Sequence, residues 1–438
     1  MALITQAPRG TQDVLPESSY KWQYVEQTAL AIARDFGFHE IRTPVFEHTN
    51  LFQRSVGETT DVVQKEMYTF EDKGGRSITL RPEGTAGAAR AVLEHGLLAG
   101  ALPVKVSYLT SCYRYEKSQK GRYREFHQFG VECFGASAPQ ADAEVISLAM
   151  LLVKTLGLKN IALHINSIGC PTCRARYTEA LHAYFAEHQG DLCGTCLSRL
   201  ERNPMRILDC KSPVCHGIAA DAPVMLEYLC EDCAAHFESV KGCLDAAGVE
   251  YVIDEHIVRG LDYYTRTVFE LVSDQGLVVA GGGRYDGLIK ELGGQPQPGL
   301  GFGMGIERML MTMEEQGVQF PDAPVCDLYF VSMGQAAAQK CFALTTALRE
   351  GGAAVECDVV GRSLKAQMKY ADKLGARYTI VVGDNELETG RAQLKDMDSG
   401  ATEEVSLDDG LYTTLRQKLL DRELADMAGM FGEIAEMV

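Results

Sequence analysis

The 438-residue chain is short of positive charge: 42 lysines and arginines face 60 acidic residues, a formal net charge of −18. That balance excludes a protein that coats nucleic acid nonspecifically, because such binding needs a broad positive field. Any polyanion must be met by local basic groups. Long apolar runs are missing too, with no uninterrupted stretch near the roughly 18 residues that a membrane span requires. The opening MALITQAPRGTQDVLP carries no basic region followed by an apolar run and a small-residue cleavage site, so a cytoplasmic protein without membrane association is expected. Internal repeats and low-complexity tracts are absent, and there is one tryptophan.

Apolar residues make up 46% of the chain, ample for packed cores, and the length alone suggests about three domains. KWQYVEQTALAIARDFGF repeats apolar residues at helical spacing, with Gly37 placed to end the helix, and a strand is expected near IRTPVF. Pro44 cannot donate a ladder hydrogen bond, which puts that strand at a sheet edge or subunit boundary. VKVSYLTSCYRYE and REFHQFGVECFG alternate in character over lengths suited to an antiparallel hairpin with KSQKGRY at its tip. IALHINSIG reads as a further strand. Sheet patterning resumes at VEYVIDEHIVRGLDYYTRTVFELVS and runs through glycine-rich segments to a helix, ERMLMTMEEQG. Beyond the linker FPDAP, strands and helices alternate from CDLYFVSM to RYTIVVG, the pattern of right-handed crossovers in a separate α/β domain. The expected boundaries are 1–169 and 246–320 for a core in two parts, 170–245 for an insertion and 325–438 for the last domain.

Three separated segments bear arginines at 114, 259 and 308. Guanidinium groups stay charged and grip phosphate oxygens in a two-pronged fork, so the trio points to a folded polyphosphate site. In GLGFGMGIERML, glycines 299, 301, 303 and 305 recur with period two and share one strand face. A flat ring could lie against that bare backbone while Leu300, Phe302, Met304 and Ile306 enter a core; close sheet packing without a ligand is the alternative. Arg308 follows at the next helix. HQFGVE puts Gln128, Gly130 and Glu132 on one face. A neutral imidazole has one donor and one acceptor nitrogen, which a carboxylate such as Glu132 and a phenol such as Tyr264 would satisfy together. In RPEGTAG, Glu83 stands by Thr85 as an acceptor for an ammonium group. GGGRYDGL either brings backbone close to a substrate or is a tight turn. Lys117, Lys120, Arg122 and Arg124 give the hairpin tip local positive charge, suited to a nucleic-acid end or simply solvated. Lys365, Lys369 and Lys373 form one stripe of a helix set between Ser363 and Gly375, suited to a phosphate backbone or to water.

Together RPEGTAG, CYRYE, YREFHQFGVE, RGLDYYTR, GGGRYDGL and GLGFGMGIER resemble the histidyl-tRNA synthetase family of class II aminoacyl-tRNA synthetases, bacterial type, over nearly the whole chain. The resemblance implies an α+β catalytic domain with a six-stranded antiparallel sheet flanked by helices, a separate C-terminal α/β anticodon-binding domain, and a homodimer built through the first helix and IRTPVF. It implies adenylation of L-histidine by ATP, with Mg2+, and transfer to tRNA(His). Glu83, Thr85 and Gln128 would hold the amino acid, and Glu132 and Tyr264, with Tyr263 adjacent, would read its ring. Arg114 and Arg259 would be the catalytic grips on the α-phosphate, and Gly303, Gly305 and Arg308 would hold the rest of ATP. Lys117, Lys120 and Arg122, with Lys365 and Lys369, would touch the tRNA. A non-catalytic regulatory subunit of histidine biosynthesis is the rival, but such proteins lose the anticodon-binding domain and the histidine signatures; a synthetase for proline or threonine would not explain RGLDYYTR.

Eight of the 14 cysteines fall between 170 and 233. Cys170/Cys173, Cys193/Cys196 and Cys230/Cys233 are C-x2-C pairs and Cys210/Cys215 is a looser fourth. In a reduced compartment such spacings read as structural Zn2+ ligands, of unknown pairing, or as small buried hydrophobes.

Overall fold

The structure, a computed structural model, describes residues 5–57, 60–117, 119–208, 210, 212–257 and 261–436. It divides into two compact units, Met1–Pro321 and Asp322–Val438.

In the first unit, α1 (Pro16–Asp35) opens on a proline, whose missing N–H would be unpaired there anyway, and buries Val25, Ala29, Ile32 and Ala33. Gly37, at φ +79°, turns the chain out of it. IRTPVF is not one strand, contrary to expectation. Ile41–Val45 form no strand and connect β1 (His39–Glu40) to β2 (Phe46–His48), which join different sheets. The bend is held by the buried Arg81, whose Nη1 donates to the carbonyls of Thr43 at 3.0 Å and Pro44 at 3.2 Å. After α2 (Thr49–Val56), β3 (Thr69–Glu71) and β4 (Ser77–Leu80) complete a small sheet with β2.

Next come α3 (Thr85–Glu94), the hairpin of β5 (Val104–Tyr113) and β6 (Glu125–Phe134), α4 (Pro139–Thr155) and β7 (Ile161–Ser167). Helices α5 (Pro171–Glu187), α6 (Gly194–Arg202), α7 (Pro213–Ala220) and α8 (Glu231–Ala246) follow. Tyr177, Leu181, Phe185 and Ile207 give part of this stretch a core of its own. The chain then returns through β8 (Val252–Ile253), β9 (Thr265–Ser273), β10 (Val278–Arg284), α9 (Leu288–Glu291), β11 (Gly299–Gly305) and α10 (Ile306–Glu315).

The main sheet has the order β1-β5-β6-β11-β10-β9-β7-β8. Its six inner strands pair antiparallel, as the resemblance implies, and the two short edge strands add in parallel. One face packs on α1, α4 and α10, with Val25, Ile146, Phe129, Phe302, Met304 and Met309 in a common core. Burying that face fixes strand register, since a one-residue slip would turn every core side chain outward. The opposite face is left for chemistry.

In the second unit, β12 (Leu328–Ser332), α11 (Gln335–Glu350), β13 (Val355–Cys357), α12 (Leu364–Lys373) and β14 (Tyr378–Val382) follow the expected alternation, and their strands pair in parallel. After α13 (Asp384–Thr389), the sheet is extended by an antiparallel pair that the alternation did not announce, β15 (Arg391–Asp396) and β16 (Thr402–Ser406), before α14 (Gly410–Glu436). On α12, Gln367 and Ala371 are buried while Lys365, Lys369 and Lys373 are exposed, so the basic stripe faces solvent.

Candidate active site

The open face of the main sheet is paved with glycine. Gln128, Gly130 and Glu132 of β6 lie opposite Gly305, Gly303 and Gly301 of β11, and Gly281 and Gly283 of β10 continue the row. Side chains on this face sink into the space the missing ones leave. A Cβ on Gly303 would meet the Gln128 amide, one on Gly301 the Glu132 carboxylate, and one on Gly130 or Gly84 the Tyr108 ring. The glycines therefore form the floor of a trough.

A cleft at one end of this trough is lined by Arg114, Arg122, Gln128, Gly281, Gly303, Gly305, Glu307 and Arg308. Arg114 is held by Nε donating to the Pro82 carbonyl at 2.8 Å and by the Phe126 ring 5.4 Å away. Arg308, at the opening of α10, donates from Nε to Gly121 O at 2.9 Å and from Nη1 to Val278 O at 2.8 Å. Burial, then the Arg122 charge and that of Arg114, lowers its pKa. Guanidinium groups crowded this way against few carboxylates are relieved by an anion, and rigid forks suit phosphate. Arg122 turns from the hairpin onto the cleft wall, paired with Glu116 at 2.9 Å. Arg124 also turns in, stacked 4.0 Å from the Tyr115 ring. Of the tip residues, Lys117 stays exposed, and Lys120, also exposed, pairs with Glu315.

Beside the cleft lies a buried polar cluster around Glu132, which has no solvent exposure. Its Oε1 accepts from Thr85 Oγ1 at 2.7 Å and Tyr108 Oη at 2.9 Å, and its Oε2 accepts from Tyr285 Oη. Burial pushes its pKa up to about 8 against the pull of these three hydroxyls. Tyr263 and Tyr264 complete the cluster, their rings 4.6 Å apart and 5.4 and 6.5 Å from Tyr285. Glu83 caps α3: its oxygens accept the N–H groups of Thr85 at 2.6 Å and Ala86 at 2.9 Å, and burial raises its pKa. Each oxygen keeps a second acceptor site. Gln128 joins the two regions, lining the cleft while its Oε1 accepts from the Gly84 N–H at 3.1 Å.

The structure thus gathers Arg114, Gln128, Gly303, Gly305 and Arg308 at one cleft and Glu83, Thr85, Glu132, Tyr263 and Tyr264 next to it. Arg259 lies outside the described residues. Gly281, Gly282 and Gly283 of GGGRYDGL lie in β10 and not in a tight turn. Gly281 does reach the cleft, but Arg284 turns away into a buried network, with Nη2 donating to Asp142 at 2.6 Å and Nη1 to Ala136 O at 2.8 Å. The sequence reading passed over Tyr108, Tyr285 and Glu307. Tyr108 had a signal, since it stands opposite Gly130 in the hairpin register and fills the space of that missing side chain. Glu307 accepts from the His127 N–H at 2.9 Å and bonds its Nδ1 at 2.9 Å, which ties α10 to β6 and raises the His127 pKa.

The insertion cysteines fall into two quartets, Cys170/Cys173/Cys230/Cys233 and Cys193/Cys196/Cys210/Cys215.

Residues 10–172 and 212–309 match the family model for histidyl-tRNA synthetase, and residues 327–417 match that for an anticodon binding domain. A histidine–tRNA ligase of Acetivibrio thermocellus is 56% identical over 410 residues, covering 93% of this chain and 98% of that protein. Another, of Clostridium perfringens, is 54% identical over 407 residues, with 93% and 98% covered. The crystal structure of apo S. aureus histidyl-tRNA synthetase superposes with a TM-score of 0.81 at 41% identity, covering 94% of this chain and all of that one.

Proposed function

This chain belongs to the histidyl-tRNA synthetase family, and from that premise we propose how its residues divide the work of joining histidine to its tRNA. It is a catalytic aminoacyl-tRNA synthetase: L-histidine and ATP give histidyl-adenylate and pyrophosphate, and histidine then passes to the 3′ end of tRNA(His). The regulatory-subunit alternative falls away, because near-full-length relatives are ligases and the anticodon-binding unit is present.

In the first step a histidine carboxylate oxygen attacks the α-phosphorus of ATP and the bond to the bridging oxygen of pyrophosphate breaks. No protein nucleophile is needed, so the chain's task is alignment and stabilisation of charge growing on the α-phosphate oxygens. Arg114 holds that phosphate from one side, and Arg259 takes the other by resemblance. Arg308 holds the adenine and the γ-phosphate, with the ring lying over Gly303 and Gly305. Arg122 adds positive charge to the same wall. Glu116 and Glu307, the carboxylates on that wall, are the residues that would hold magnesium, which would supply charge neutralisation for the polyphosphate.

Histidine lies where Gln128 and Glu83 meet its ammonium group, with Thr85 beside them. Its imidazole presents N–H to Glu132 and its bare nitrogen to the Tyr264 phenol, with Tyr263 packed behind. A ring lacking either function would leave a buried partner unsatisfied, the kind of loss that discriminates most sharply between substrates. Lys117 and Lys120 face the 5′ end of the tRNA, and Lys365 and Lys369 its backbone at the anticodon. The protein works as a cytoplasmic homodimer, joined through α1 and the segment 39–48.

The observation that carries this reading is Gln128, which touches both the arginine-lined cleft and the backbone beside Glu83 and Thr85. One side chain thereby sets the distance between the two substrates. Histidine-dependent exchange of labelled pyrophosphate into ATP tests it. Gln128→Ala should lower kcat far more than it raises KM for ATP, and an unchanged kcat would refute the assignment.

A further inference from the structure

We propose that the insertion carries two separate mononuclear zinc sites, one held by Cys170, Cys173, Cys230 and Cys233 and the other by Cys193, Cys196, Cys210 and Cys215. In each quartet all four sulfurs lie within 4.8 Å of one another. A tetrahedral zinc with bonds of about 2.3 Å sets its sulfurs about 3.8 Å apart. The Sγ separations are 3.6 Å for Cys170–Cys173, 4.0 Å for Cys170–Cys230 and 3.9 Å for Cys193–Cys210. A disulfide would need about 2.05 Å, close to half of these. An iron–sulfur cluster would hold its thiolates apart by its own width, whereas these quartets leave room for a single ion.

The surrounding backbone suits thiolates. Cys170, Cys193 and Cys230 each occupy the N-cap of a helix, α5, α6 and α8, where the positive end of the macrodipole favours negative sulfur. Both quartets repeat one further contact: the N–H of Cys230 donates to Cys173 Sγ at 3.1 Å, and that of Cys193 to Cys215 Sγ at 3.2 Å. Cysteines used as plain apolar filler have no reason to converge in fours, and Cys170, Cys193 and Cys230 are only partly buried. Cys173, Cys193, Cys196 and Cys210 lie between the two segments matched by the synthetase model, whereas Cys170, Cys215, Cys230 and Cys233 fall within them, so each site takes at least one sulfur from a stretch that the family model does not cover. Their purpose is folding: four helices around a small core gain what tetrathiolate zinc contributes on binding.

Metal analysis of the full-length chain, purified under reductant without chelator and supplied with zinc, tests the proposal independently of any aminoacylation assay. The expected result is two zinc per chain, falling to one in Cys196→Ser and to one in Cys233→Ser. Zero or one in the parent chain overturns it, as does a single substitution that releases both ions while circular dichroism stays unchanged. Should either variant fail to fold, titrating the metal-free parent chain with Co2+ decides. All-sulfur tetrahedral d–d absorption rising to two equivalents supports two sites; saturation at one, or no such bands, refutes them.

Discussion

Glu132 should make the first unit less stable as the solution becomes more alkaline, and removing its charge should abolish that dependence. Burial raises its pKa from 4.5 to about 8. Between those values the native protein keeps a proton that the unfolded chain has lost, so stability falls as pH rises through the window. Each pH unit costs about 1.4 kcal/mol, and the whole window roughly 5 kcal/mol at most. Glu132→Gln cannot titrate. Its stability relative to the parent should therefore improve by about 3 kcal/mol between pH 5.5 and 7.5, with contributions of all other groups cancelling in the difference. Urea unfolding followed by tryptophan fluorescence measures this cleanly, because the only tryptophan, Trp22, sits in α1 of this unit, with its ring centroid 5.0 Å from that of His127. The same variant should lose roughly three- to tenfold in kcat/KM for histidine, the worth of one neutral hydrogen bond, and little for ATP. Parallel stability curves across that pH range would refute the reasoning, since they would mean that the three hydroxyls already keep the carboxylate ionised at pH 5.5.

Three further outcomes follow from the geometry. Gly303→Ala should cost less than Gly282→Ala, because its Cβ meets only the Gln128 side chain, which can shift at the expense of its bond to the Gly84 N–H, while the Gly282→Ala Cβ runs into the Gly301 carbonyl and the Phe302 backbone, a clash that should cost at least about 3 kcal/mol; thermal melts compare the two. Arg284→Ala should destabilise by about 3–5 kcal/mol, since it strands the buried Asp142 carboxylate beside His236, and a melting temperature within a degree of the parent's would contradict the network. The triple change of Lys365, Lys369 and Lys373 to Ala should leave pyrophosphate exchange intact and flatten the dependence of log KM for tRNA on log salt by roughly 2 units, an unaltered slope being the adverse result.

What could be read from the sequence is what period and chemistry alone enforce. The hairpin of β5 and β6, the glycine row of β11 and the alternation from β12 to β14 each rest on local spacing and each formed, with Leu300, Phe302, Met304 and Ile306 entering the core as expected. IRTPVF failed because a distant residue decides it: Arg81 clamps the carbonyls on either side of the bend, and nothing within the segment announces that. The pairing of Arg122 with Glu116 across the loop was not legible for the same reason. The Glu132 carboxylate was visible but its environment was not, since Thr85, Tyr108 and Tyr285 arrive from three different elements. Pairing among the cysteines needed the fold, because spacing permits any two pairs to combine.

The two cysteine quartets are nested along the chain: every member of the Cys193-to-Cys215 group lies within the loop that Cys170/Cys173 and Cys230/Cys233 close. During synthesis from the N-terminus, the inner group therefore has all its ligands out of the ribosome first, while the outer one still waits for Cys230 and Cys233. The inner knot can tie before the outer, and by doing so it shortens the slack that the outer must gather in. A chain whose earlier sulfurs seized the wrong partners would have to undo them before the second half of its catalytic sheet could join the first.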